Sequence, residues 1–282
     1  MEALEIPIVG VCSSREPVTT PLENTPKRRN LEDPAMTTLE NDAAAPTRIE
    51  ETTGRALVWD WPVRFFHWAL VVSIVGAFVT NRLGVKYFVY HTWFGYSVIV
   101  LVGFRLLWGV YGSRHARFAS FIRGPKAVLH YVGALGSGHR TRYAGHNPLG
   151  ALMVVALLAL LAAQAIFGLF ANDEIFNVGP LAGLVSKSLS LDLTSLHRKI
   201  FYAILAAAVL HVGAVLFHVL VKRENLIAAM ISGKKPAHLV HPHEEIKSSR
   251  GLRAIALFLA VAGLLALALR FAPVGDVDVA GF

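Results

Sequence analysis

Four histidines in this 282-residue chain, His67, His91, His197 and His211, each lie within or at the end of a long apolar stretch. An ionisable side chain in such a stretch is costly and is usually kept for function. His197 and His211 are 14 residues apart on one predicted helix. That spacing leaves them about 40° apart around the axis and about 21 Å apart along it, on a shared face. His67 and His91 flank a short hairpin centred near Val85–Lys86, about 19 residues before it and about 5 after it. The difference is again about 14 residues, roughly 21 Å of helix. His91 and His197 are therefore expected at one depth, and His67 and His211 at another.

Two neutral imidazoles facing each other between helices suit few metals. Zinc prefers four ligands, or three and a water, and the sequence has no HExxH. Non-haem iron in helical bundles needs carboxylates, which the apolar stretches almost lack. Six-coordinate haem needs two protein ligands, because the porphyrin supplies four nitrogens. The reading is two bis-histidine haem sites at two depths. Arg64 beside His67, and Arg198 and Lys199 beside His197, could pair with propionates, or equally could be anchors reaching to the membrane surface. His218 fits less well than His211, since its separation from His197 would be about 31 Å, the full hydrocarbon thickness. The remaining histidines, His115, His130, His139, His146, His238, His241 and His243, read mostly as loop residues, the last three forming a weak HxxHxH pattern.

The elements that position these residues are apolar spans. The chain is 54% hydrophobic and 16% charged, with mean hydropathy +0.51. Five stretches approach the length that crosses a bilayer: about 63–80, 90–111, 149–170, 196–221 and 255–271. All five tryptophans fall near their ends, as an aromatic belt would require. The expected fold is all-α, a transmembrane helical bundle with a four-helix di-haem core over 56–235. A linker over 236–250 follows, and a fifth C-terminal transmembrane helix lies within 251–282.

Residues 1–55 differ from the rest, with 6 basic against 10 acidic side chains and no long apolar run. They read as a disordered extension without signal-peptide character, and Met36 is a second candidate start. The single cysteine, Cys12, excludes an internal disulfide framework. Loops 112–147 and 222–253 are rich in Lys and Arg, whereas 172–194 carries Asp173, Glu174 and Asp192 against Lys187. The positive-inside rule puts the N-terminus and both basic loops in the cytoplasm and the C-terminus in the periplasm. The net charge of +8 then reports topology and contact with membrane lipid, with no nucleic acid implied.

Several segments resemble one family. WDWPVRFFHW (59–68), YHTWFGYSVIVLVGFRLLWG (90–109), GHNPLGALMV (145–154) and SLHRKIFYAILAAAVLHV (195–212) are similar to the bacterial cytochrome b561 / nickel-iron hydrogenase cytochrome b subunit family. FGLFANDEIF (167–176) and VKRENLIAAMISGKK (221–235) fit its hydrogenase-type and orphan electron-transport members. The resemblance implies two haem b groups held by His67, His91, His197 and His211. It also implies an inner-membrane protein passing electrons between quinone and a hydrogenase-like oxidoreductase subunit or a periplasmic c-type cytochrome. The first 55 residues and the fifth span lie outside the matched core. The rival reading is a haem-free transporter or proton channel built on the intramembrane histidines and Arg105.

Overall fold

The computed structural model describes residues 54–135 and 143–272. The unit Met1–Glu50 lies outside the described residues, and with it Cys12, Met36 and nearly all of the expected disordered extension. His139 and the tail after residue 272 lie outside them too.

Five helices are long and apolar enough to cross a membrane. They are α1 (Trp61–Arg82), α2 (Phe88–Tyr111), α5 (Pro148–Leu169), α6 (Lys187–Leu220) and α8 (Gly251–Arg270). Between them lie the short helices α3 (Phe118–Phe121), α4 (Pro125–Leu135) and α7 (Leu226–Ser232). A two-stranded antiparallel ribbon pairs β1 (Arg55–Leu57) with β2 (Lys234–Pro236), Ala56 opposite Lys235.

Local chemistry fixes where the helices start. Asp60 caps α1, its carboxylate accepting from Val63 N at 2.8 Å, and a proline sits in the first turn. Asn147 caps α5 in the same way through Gly150 N at 2.7 Å, again beside a proline. Ser186 caps α6, and Asn225 caps α7. Each side-chain oxygen satisfies an amide that the helix itself leaves unpaired. Gly233, at φ 81°, ends α7 in the left-handed region that glycine tolerates.

α2 is the central helix. It packs on α1, α5 and α8, while α6 packs chiefly on α5. A buried cluster at one end joins Val58, Trp59, Val63, Phe66, Leu101, Phe104 and Trp108. A second, mid-height, joins Val98 and Val102 of α2 to Leu161 of α5 and Ile204 of α6. Elsewhere the spans carry exposed apolar side chains such as Val72, Leu210 and Leu264. Outward-facing leucine and valine suit lipid, which competes for them on equal terms.

Three features depart from the sequence reading. α6 begins at Lys187, nine residues before the expected span, so its first turns continue beyond the apolar window. β1 begins at Arg55, so Arg55 forms part of the described fold. Segment 236–250 is packed rather than slack: Ile246 N donates to Leu57 O at 2.9 Å, Arg114 reaches His243 O at 2.7 Å, and Val240 and Ile246 are buried. Its apolar residues have a pocket to fill, and its backbone finds partners on β1 and near α3.

Candidate functional site

The structure brings the four histidines together as two pairs. The His91 ring of α2 and the His197 ring of α6 have centres 6.2 Å apart, with planes at 81°. The His67 ring of α1 and the His211 ring of α6 have centres 6.3 Å apart, with planes at 54°. His218 is not in either pair; its Nδ1 lies 3.0 Å from Glu224 Oε2.

These distances are too long for stacking contact and suit an atom between the rings. Two imidazoles binding one metal from opposite sides, with bonds of about 2.0 Å and ring radii of about 1.1 Å, have centres roughly 6.2 Å apart. Both pairs match that spacing.

At the far end, away from the basic loops, both rings are oriented from behind. His91 Nδ1 lies 2.8 Å from Ala77 O, and His197 Nδ1 lies 2.8 Å from Gln164 O. A carbonyl can only accept, so each Nδ1 carries the proton and each Nε2 keeps its lone pair. Histidine ligands are commonly oriented in this way, through the nitrogen that does not bind metal. The Gln164 amide approaches His197 Nε2 at 3.3 Å. Glycine makes the packing feasible. A Cβ on Gly168 would stand 3.0 Å from His197 Cε1, whereas a Cβ on Gly95, one turn along α2 from His91, would meet nothing within 4 Å. The first glycine lets α5 approach the ring; at the second the space is open.

At the basic end the environment differs. His67 Nδ1 is buried without a hydrogen-bond partner, and Trp68 packs edge-on at 5.0 Å. Close by lies a buried polar cluster that sequence reasoning assigned to ordinary loops. His115 is 7% exposed and bonds Glu244 O through Nε2 at 2.8 Å. His146 packs on Trp59 at 4.7 Å and on Phe121 at 4.6 Å, with Nδ1 unpartnered. Burial first, and then the charges of Arg105 and Lys235, push His146 down to about 3, so it stays neutral. Burial also lowers Lys235, whose ammonium donates to Tyr143 O. Arg105 is 3% exposed, its guanidinium 4.9 Å over the Phe118 ring. Asp60 joins this cluster to the bundle: Oδ1 caps α1 and Oδ2 accepts from Trp108 Nε1 at 3.0 Å.

Arg64 extends to Ile231 O, while Arg198 and Lys199 line a small cavity of about 350 Å³ with Asn172–Glu174 and Thr194. Within that loop burial raises the Asp173 carboxyl, but bonds from Asn177, Phe176 and Ile175 outweigh it and hold the group down at about 2. Among the described residues no cluster of three or more His, Cys, Asp or Glu could hold a bare metal ion, and the HxxHxH segment contributes just a stacked pair, His241 on His243. A ring cofactor that brings its own equatorial nitrogens is what two-ligand sites accommodate.

Comparison with known proteins identifies the family. The family model described as prokaryotic cytochrome b561 matches residues 58–233. A probable Ni/Fe-hydrogenase B-type cytochrome subunit of Bradyrhizobium diazoefficiens is 24% identical, over 68% of this chain and 91% of that protein. Its counterparts in Rhizobium leguminosarum bv. viciae and Rhodobacter capsulatus are each 25% identical, covering 70% and 63% of this chain and 95% and 80% of theirs. No solved structure matches significantly. The chain belongs to the prokaryotic cytochrome b561 family: it is a multi-pass membrane b-type cytochrome of electron transfer.

Proposed function

We propose that the chain carries electrons across a bacterial inner membrane through two haem b groups, one held by His91 and His197 and the other by His67 and His211. The supporting observation is that the rings within the two pairs lie 6.2 and 6.3 Å apart, on helices that fall inside the family-matched residues 58–233. Haem supplies the one-electron chemistry when bound. The protein's residues hold it: four imidazoles ligate, Ala77 and Gln164 carbonyls orient two of them, and the apolar helices exclude water. The 14-residue separation of His197 and His211 places the pairs about 21 Å apart along α6, one towards each membrane surface.

The basic loops face the cytoplasm in this reading, so His67–His211 is the inner level and the Asn172–Thr194 side is periplasmic. The electron partners are quinone and an oxidoreductase subunit or c-type cytochrome. The names of the relatives, Ni/Fe-hydrogenase cytochrome subunits, favour a hydrogenase-like partner. The test is the absorption spectrum of the purified chain in detergent, oxidised and then reduced with dithionite, with haem quantified against protein. The expected result is haem b bands at two haems per chain. A chain that binds no haem contradicts the reading and favours the transporter.

A further inference from the structure

α2 and α6 carry matched ladders. Along α2 stand His91, Val98 and Arg105; along α6 stand His197, Ile204 and His211, each at seven-residue intervals. Seven residues return to within about 20° of the same direction, so each set lines one face. The first rungs meet across 6.2 Å, and the second rungs, Val98 and Ile204, share one buried cluster. Residue numbers rise together on the two helices, so the third rung sets Arg105 at the level of His211.

Arg105 is poorly compensated there. It is 3% exposed, and its Nη1 has no hydrogen-bond partner. Asp60 attracts it, but both Asp60 oxygens are already engaged, by Val63 N and Trp108 Nε1. Of the cluster's other bases, burial keeps His146 and His115 neutral, while the Lys235 ammonium, bonded to Tyr143 O, adds a second positive charge on the same side. At the far end Arg198 and Lys199 stand next to His197, but both are exposed, where water screens their charge; the pair's buried polar neighbour is the neutral Gln164 amide.

Resting on the function proposed above, we infer that Arg105 is a positioning residue for charge: it raises the reduction potential at the His67–His211 level above that at the His91–His197 level. A haem iron that gains one electron loses one unit of positive charge, and a buried cation alongside favours that state. If Arg105 instead meets a carboxylate on the ring edge, it neutralises a charge that would oppose reduction, so the sign is unchanged. The far-end ligands push the same way. Their Nδ1–H bonds to Ala77 and Gln164 carbonyls make the imidazoles more basic and favour oxidised iron, whereas His67 Nδ1 has no such acceptor. Asp60 opposes Arg105, and removing Arg105 leaves that carboxylate held by the neutral Val63 and Trp108 donors.

The experiment is a potentiometric titration of the purified, haem-loaded chain, with haem content measured in parallel. The wild type is expected to show two one-electron waves, the higher surviving in His91→Ala and so belonging to the basic-end centre. Arg105→Gln is expected to lower that wave by at least tenfold in its equilibrium constant, about 59 mV, and to leave the other in place. Arg105→Lys should restore most of the shift. Waves that stay fixed, or that move together, in a variant retaining two haems overturn the inference while leaving the electron-transfer reading intact. A wild type without haem overturns both. If Arg105→Gln does not retain haem, Asp60→Asn decides: it must raise the same wave, and an unchanged wave overturns the inference.

Discussion

The two histidine pairs have nearly the same ring separation but are held in different ways. At the far end, backbone carbonyls of α1 and α5 orient His91 and His197, so helix packing itself sets the imidazole orientation. At the basic end, Trp68 packs edge-on against His67, a buried polar cluster lies nearby, and His67 Nδ1 has no hydrogen-bond partner. One level depends on close helix approach, the other on a polar network tied to the N-terminus of α1. Damage to helix packing should therefore be felt at the first, and damage to the network at the second.

Removing a ligand breaks the symmetry most strongly. His91→Ala or His197→Ala should halve haem content and abolish the far-end centre, while His67→Ala or His211→Ala should abolish the other. A single variant that kept full haem content would show the pairing to be wrong. Gly168→Val tests the packing argument at the far end alone. Its side chain would press on His197, and the expected outcome is loss of most far-end haem with the basic-end centre intact, read from the spectra.

Asp60→Ala is the counterpart at the basic end. It removes a helix cap worth about 0.5–2 kcal/mol and leaves the buried Trp108 N–H unpaired at a cost of about 1–3 kcal/mol. Thermal unfolding in detergent should show a loss of about 2–4 kcal/mol, and a loss below about 0.5 kcal/mol would deny the network its structural role.

Acid sharpens the same contrast. Unfolded His146 takes up a proton below about pH 6.5, whereas burial and neighbouring charge hold the folded imidazole neutral down to about 3. Its contribution is therefore present above pH 6.5 and is lost progressively as pH falls towards 3. Wild type should lose more stability between pH 7 and pH 5 than His146→Phe; equal losses would contradict this. The smallest effect belongs to His218→Ala. It removes a partly exposed pair with Glu224, so haem content should not change and stability should move by less than about 1 kcal/mol.

Much of this arrangement is legible in the sequence. Runs of apolar residues mark the five spans, because bilayer thickness dictates their length, and the 14-residue intervals show which histidines share a depth. The dipeptide Asp-Trp before Pro62 also carries a cap signal for α1. The cluster of His115, His146, Lys235 and Asp60 is not legible. Its members come from four separate segments, and burial of a loop histidine depends on tertiary packing that no local period encodes. α4 is hidden for a similar reason: PKAVLHYVGAL is an amphipathic helix within a loop whose basic residues signal only topology. The packing of 236–250 depends on Val240 and Ile246, two isolated apolar side chains that no spacing rule singles out.

The central claim is that each ring pair holds a haem between its imidazoles. A cryo-electron microscopy map of the purified, coloured protein tests it most directly. The account predicts two planar densities, one between His91 and His197 and one between His67 and His211, about 21 Å apart along α6. A map in which either pair of rings has nothing between them, or in which a porphyrin is ligated by other side chains, would contradict it.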